Sequence, residues 1–190
     1  MATSTRAKGE RVAEASVESS ASAVEWPAIA AGALAAVGVS IIISTLASGA
    51  GLAWVRPWSF AGASPATFGV AAAIGLIVTQ WIASALGGYL TGRLRIKWVG
   101  IRTEEIFFRD TAHGFLAWAL ATLFVAAVLS LVAAGTVAGT GTEVTVTPEA
   151  AEQARKAAAS YSFFTSLSFL IGAFIACVAA ALGGYHRDEV

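Results

Sequence analysis

The side chains best suited to chemistry in this sequence are grouped between residues 104 and 113. They are Glu104, Glu105, Arg109, Asp110 and His113. Asp110 and His113 are three positions apart, so on a helix they share a face, where a carboxylate and an imidazole suit a general base or metal ligands. The alternative is that Asp110 or Thr111 caps a helix and that His113 lies at the level of lipid headgroups. We favour the cap, because no second His or Cys is near in the sequence, and we predict no catalytic site, metal or cofactor.

A second polar group lies within apolar sequence. It comprises Gln80 with its neighbour Thr79, and the serines Ser40 and Ser44, which are four positions apart. Gln80 either lines a pore or forms a hydrogen bond to a neighbouring helix, which is the commoner role. The serines either face water or donate to carbonyls of their own helix.

The composition excludes an ordinary soluble domain. The 190 residues are 57% hydrophobic and 13% charged, against roughly 25% charged residues in soluble proteins. All charged side chains fall outside four windows, which are Trp26 to Val55, Pro57 to Gly92, Thr111 to Thr142 and Ala157 to Tyr185. Each window holds one membrane-spanning helix, which takes about 20 residues, but not two.

These windows predict an all-α integral membrane four-helix bundle. Strands that span membranes alternate apolar with polar residues, which this sequence does not do. We place the spans at about 28–52, 66–92, 112–135 and 161–185, after a disordered tail over 1–25. Ser64 with Pro65, and Thr147 with Pro148, are typical helix starts.

The basic residues predict the orientation. Most of the 12 Lys and Arg lie in the N-terminal tail, in the connection between the second and third spans, and at the C-terminus. The positive-inside rule therefore places both chain ends in the cytoplasm of a bacterium, with the protein in its inner membrane. Arg93, Arg95 and Lys97 are expected to lie against anionic headgroups, beside a short interfacial helix over Thr103 to Phe108.

The sequence contains a repeat and rows of small residues. Ala-Leu-Gly-Gly-Tyr occurs at 85–89 and again at 181–185, which favours a duplication into two like-oriented hairpins over chance. Gly87, Gly88, Gly183 and Gly184 also belong to rows with four-residue spacing, which is typical of helices in close contact.

Three segments resemble a family. Trp26-Pro27-Ala28, the run from Gly87 to Arg93, and the run from Phe108 to Gly114 with Trp118 are similar to small four-span bacterial inner-membrane proteins of unknown function. The likeness extends from Val24 to Arg187. It implies four spans and carries no activity.

Two functions of different classes follow. The first is a non-enzymatic accessory, structural or assembly component that packs in the bilayer with itself or within a larger membrane complex, and that binds no nucleic acid. The second is an oligomeric channel or facilitator for a small solute, with Gln80, Thr79 and the serines in its lining. A hydrolase at the membrane interface that uses Asp110 and His113 is the least favoured hypothesis.

Overall fold

The computed structural model describes residues 23–54, 65–98, 100–139 and 147–189. Within these residues the chain forms four helices, α1 (Trp26–Trp54), α2 (Pro65–Leu94), α3 (Thr103–Gly139) and α4 (Pro148–Asp188). Each is long and apolar enough to cross a membrane. The all-helical bundle predicted from the charge-free windows is confirmed. Most of the tail predicted as disordered, residues 1–22, lies outside the described residues.

The helices run alternately up and down. The start of α1 contacts the end of α2 through Gly32 and Gly87, and the start of α3 contacts the end of α4 through Gly114 and Ala180. α2 packs most extensively against α4, whereas α1 and α4 do not touch within the described residues. One end of the bundle, here called the base, therefore holds the starts of α1 and α3 and the ends of α2 and α4. The opposite end is called the open end.

Packing is concentrated in the half of the bundle at the base. Among side chains that the structure describes, the buried ones lie over 28–36 in α1, 79–92 in α2, 110–121 in α3 and 168–184 in α4. Towards the open end the large apolar side chains are exposed, as Leu46, Leu131 and Phe163 illustrate at 72%, 78% and 68%. Within the described residues the bundle is thus closed at the base and unpacked at the open end.

Two predicted helix starts agree with the structure. α2 begins at Pro65, and α4 begins at Pro148 after Thr147, whose Oγ1 accepts a hydrogen bond from the Ala150 amide at 3.3 Å. Ser64 lies outside the described residues. Proline suits the first turn because no helical carbonyl precedes it to accept a hydrogen bond.

The third helix begins before the residues that were predicted to cap it. α3 begins at Thr103 and runs through Thr111 without a break, so the segment predicted as a separate interfacial helix is the first part of α3. Phe107 and Phe108 on it are exposed, as lipid-facing side chains would be. Glu105 pairs with Arg109 within this segment, and Asp110, which follows on the same helix, pairs with Arg95, just after α2.

Candidate functional site

A buried ion pair joins α3 to the segment that follows α2. The Arg95 guanidinium donates through Nε to Asp110 Oδ1 and through Nη2 to Oδ2, the latter at 2.6 Å. Both side chains are buried, with 0% of Arg95 and 3% of Asp110 exposed. Two parallel hydrogen bonds between a planar guanidinium and a carboxylate make a strong and directional contact.

Surrounding groups hold this pair in place. Trp98 covers it, with the Arg95 Cζ at 4.4 Å and the Arg109 Cζ at 4.9 Å from its ring centroid. Arg187 of α4 donates to the carbonyls of Arg95 and Ile96 at 3.0 and 2.9 Å. The C-terminal end of α4 is therefore tied to the turn between α2 and α3.

His113 fastens the start of α1 to α3. Its Nε2 accepts a hydrogen bond from the Glu25 amide at 2.8 Å, and its Nδ1 lies 2.6 Å from the Arg109 carbonyl. The first bond needs a lone pair on Nε2 and the second a hydrogen on Nδ1, so this arrangement selects the neutral ring with its hydrogen on Nδ1. Both ring nitrogens are occupied by backbone groups, which leaves neither free to take a proton from a substrate or to bind a metal.

The structure corrects two expectations about these residues. Asp110 and Thr111 do not cap α3, which starts at Thr103. Arg95 does not face headgroups, because it is buried against Asp110. His113, with 1% of its surface exposed, is buried within the bundle, and its level in the membrane stays a prediction. The predicted cluster divides into two pairs, Arg95 with Asp110, and Glu105 with Arg109 at 2.7 Å.

Glycines close the base of the bundle. A Cβ on Gly88 would lie 2.8 Å from the Ala176 Cα, and one on Gly183 would lie 3.0 Å from the Tyr89 carbonyl carbon. A Cβ on Gly87 would meet Ala36, and one on Gly184 would meet the Asp110 carboxylate. All four glycines singled out in the sequence are therefore helix contacts. Such close approach of backbones leaves no passage between α2 and α4 at this level.

The repeated glycines do not occupy equivalent positions. Gly87 faces α1 and Gly88 faces α4. A two-fold axis between the hairpins would exchange α1 with α3 and α2 with α4, so Gly183 should face α3 and Gly184 should face α2. The contacts are the reverse, since Gly183 faces α2 and Gly184 faces α3. The internal duplication stays a prediction.

The second candidate site is a cleft of about 260 Å³ above the closed base. The four polar residues singled out in the sequence, Ser40, Ser44, Thr79 and Gln80, all line it. The Ser40 and Thr79 hydroxyls donate to carbonyls of their own helices, at 2.9 and 2.7 Å. Gln80 forms no hydrogen bond to any side chain that the structure describes, so the predicted interhelical bond is not seen there.

Other residues of this cleft were missed in the sequence, among them the polar residues Ser84, Trp118 and Thr122. Ser84 and Trp118 line it beside Gln80, and the indole Nε1 of Trp118 is buried without a hydrogen-bond partner among the described residues. The Gln80 Nε2, the Ser84 Oγ and the Trp118 Nε1 lie 3.1, 3.1 and 3.2 Å from the point that a Cβ on Gly172 would occupy. Three polar groups from two helices thus converge on a glycine of a third. The four-residue spacing from Gln80 to Ser84 was the available signal.

The described residues hold no cluster of three His, Cys, Asp or Glu side chains that could bind a metal. Comparisons with protein-family models, with curated proteins and with solved structures find no match to this chain.

Proposed function

We propose that this chain is a non-enzymatic component of the bacterial inner membrane that packs in the bilayer against itself or within a larger membrane complex. The observation that carries the proposal is the uneven packing of the bundle. Its base is closed by glycine contacts and a buried ion pair, whereas the helices near the open end expose both apolar and small residues.

Glycines near the open end support lateral packing. A Cβ on Gly49 of α1 or on Gly69 of α2 would meet nothing within 4 Å. Glycine in a helix interior costs roughly 1 kcal/mol relative to alanine, and among the residues that the structure describes nothing uses the space it leaves. Helices in lipid associate through such small residues, because backbones can then come close. We therefore assign the contact surface to the α1 and α2 faces around Gly49 and Gly69.

The orientation belongs to the same proposal. The base carries Arg93, Arg95, Lys97 and Arg187, so the positive-inside rule favours a cytoplasmic base and an open end on the periplasmic side. The resemblance to four-span inner-membrane proteins agrees with this assignment.

The test is the oligomeric state of variants extracted in mild detergent. Leucine at Gly49 or Gly69 has room among the described residues but would block a close helix contact. We expect Gly49→Leu and Gly69→Leu to remain folded and to dissociate from the assembly. The matched control is Ala158→Leu, at an exposed position of α4. A wild-type protein that is monomeric both in detergent and after crosslinking in native membranes would refute the proposal.

A channel or facilitator is the second candidate, because Gln80, Thr79, Ser40 and Ser44 line one cleft. The closed base opposes it, since a solute that enters from the open end meets the contacts of Gly88 with Ala176 and of Gly183 with Tyr89. Solute flux into liposomes tests it. Flux that depends on Gln80, and is lost in Gln80→Leu, would favour the channel over the accessory role.

A further inference from the structure

His113 is a buried titratable side chain whose hydrogen bonds fit only its uncharged form. Its Nε2 accepts from the Glu25 amide at 2.8 Å, and its Nδ1 donates to the Arg109 carbonyl at 2.6 Å. A backbone amide can only donate and a carbonyl can only accept, so Nε2 must keep its lone pair. A proton added to Nε2 would break the bond to Glu25 and set two N–H groups against each other.

The cations around His113 oppose a positive charge on its ring. The imidazole lies edge to face against Trp98, with 5.7 Å between the ring centroids. The Arg95 and Arg109 guanidinium groups lie over the same indole, at 4.4 and 4.9 Å. A charged imidazole would therefore be close to two cations in a site where only 1% of His113 is exposed, and like charges repel more strongly where water is excluded.

The buried and half-buried carboxylates of the base already have partners, so none of them is placed to bind a charged His113. Three of them pair with arginine: Asp110 with Arg95 and Glu105 with Arg109 on α3, and Asp188 with Arg187 at the end of α4. The fourth, Glu25, accepts from the Ile96 amide at 2.7 Å, and its carboxylate therefore faces the turn after α2. Lys97 of that turn adds a further cation, which donates to the Asp188 carbonyl at 3.1 Å.

We propose that His113 and Glu25 form an acid-sensitive switch that holds the start of α1 against α3. The uncharged ring binds the Glu25 amide. When Nε2 takes up a proton this bond is lost, and the segment over 23–25 separates from the base. The released state binds the additional proton and the fastened state does not, so a lower pH favours release. The switch is separate from the lateral contact proposed above, because Gly49 and Gly69 lie near the open end.

The test is the mobility of a spin label ahead of α1, in full-length protein in phosphatidylcholine liposomes. The pH is varied from about 8 to 5, the range in which a free imidazole takes up its proton. In a Cys177→Ala background the label is attached at Ala23→Cys, an exposed position. We expect the ratio of fastened to released label to fall about tenfold, the value of one hydrogen bond, and to recover when the pH is raised. A label at Ala158→Cys, exposed on α4, should not respond.

Three variants assign the change to His113. His113→Gln keeps an acceptor for the Glu25 amide but takes up no proton in this range, so its label should stay fastened at every pH. His113→Phe has no acceptor, and its label should be released at every pH. His186→Gln removes the other histidine of the chain and should respond like the wild type. Circular dichroism of the same samples shows whether each variant is folded.

Nitrogen NMR of histidine-labelled protein follows the ring itself, and it decides even if glutamine does not reach the amide. In His186→Gln the only remaining histidine is His113. We expect a proton on Nδ1 and none on Nε2 at the highest pH, and release of the label in step with protonation of Nε2. Three outcomes would overturn the proposal: a label in the wild type that does not respond to pH, an equal response in His113→Gln, or protonation of Nε2 while the label stays fastened.

Discussion

Removing the Asp110 carboxylate should destabilise the bundle more than any other loss of a single charge among the described residues. In Asp110→Asn the Arg95 guanidinium, none of which is exposed, keeps its charge but loses its anionic partner. Breaking a buried ion pair from one side costs roughly 3 to 5 kcal/mol. Arg95 retains the Ile96 carbonyl at 3.1 Å, the Trp98 ring at 4.4 Å and Asp188 at 3.6 Å. We therefore expect a loss at the lower end, about 3 kcal/mol.

Equilibrium unfolding in mixed micelles, followed by circular dichroism, measures this loss. Replacing both partners, as in Arg95→Met with Asp110→Leu, should restore much of the stability, because no unpaired charge stays buried. The control is Glu152→Gln, which breaks the exposed pair of Glu152 with Arg155 on α4 and should leave the stability unchanged. A loss of less than about 1 kcal/mol in Asp110→Asn would refute the conclusion that this pair holds the base closed.

Two other predictions concern the base. Gly88→Leu should prevent folding, because even a Cβ there would lie 2.8 Å from the Ala176 Cα, whereas Gly38→Leu, with open space around it, should fold normally. The measurement is the yield of folded protein in detergent. Equal yields of the two variants would contradict the assigned contact between α2 and α4. His113→Ala should lower the free energy of unfolding by about 1 to 2 kcal/mol, because the Glu25 amide loses its hydrogen-bond acceptor. We also expect faster proteolysis of the chain ahead of Trp26. Unchanged stability and proteolysis would contradict the role of His113 in fastening α1.

The four helices could be predicted because their signal is local. Each charge-free window is longer than a span requires, so composition alone located α1 to α4. The start of α3 could not be placed in this way. Asp110 was assigned to a cap because an acid suits the start of a helix and no second His or Cys is near in the sequence. Its actual partner, Arg95, comes from a different part of the chain. Such a pairing depends on tertiary structure, since nothing in the spacing of the two residues indicates that they meet.

The cleft was predicted in part for a similar reason. Gln80, Thr79, Ser40 and Ser44 stand out as polar residues in apolar sequence, and all four line it. Trp118 does not stand out, because a tryptophan in a membrane helix is usually an interfacial or packing residue. Only the tertiary structure shows that its indole nitrogen lies against Gly172 of α4 and has no hydrogen-bond partner among the described residues.

Crosslinking in native membranes tests the central proposal, lateral packing around Gly49 and Gly69, most directly. In a Cys177→Ala background, which removes the only cysteine of the chain, single cysteines are introduced as Gly49→Cys, Gly69→Cys and Ala158→Cys. We predict that the first two form disulfide or short-linker crosslinks to a second copy or to another membrane protein, and that Ala158→Cys does not. Equal crosslinking at all three positions, or none at any, would contradict the assigned contact surface.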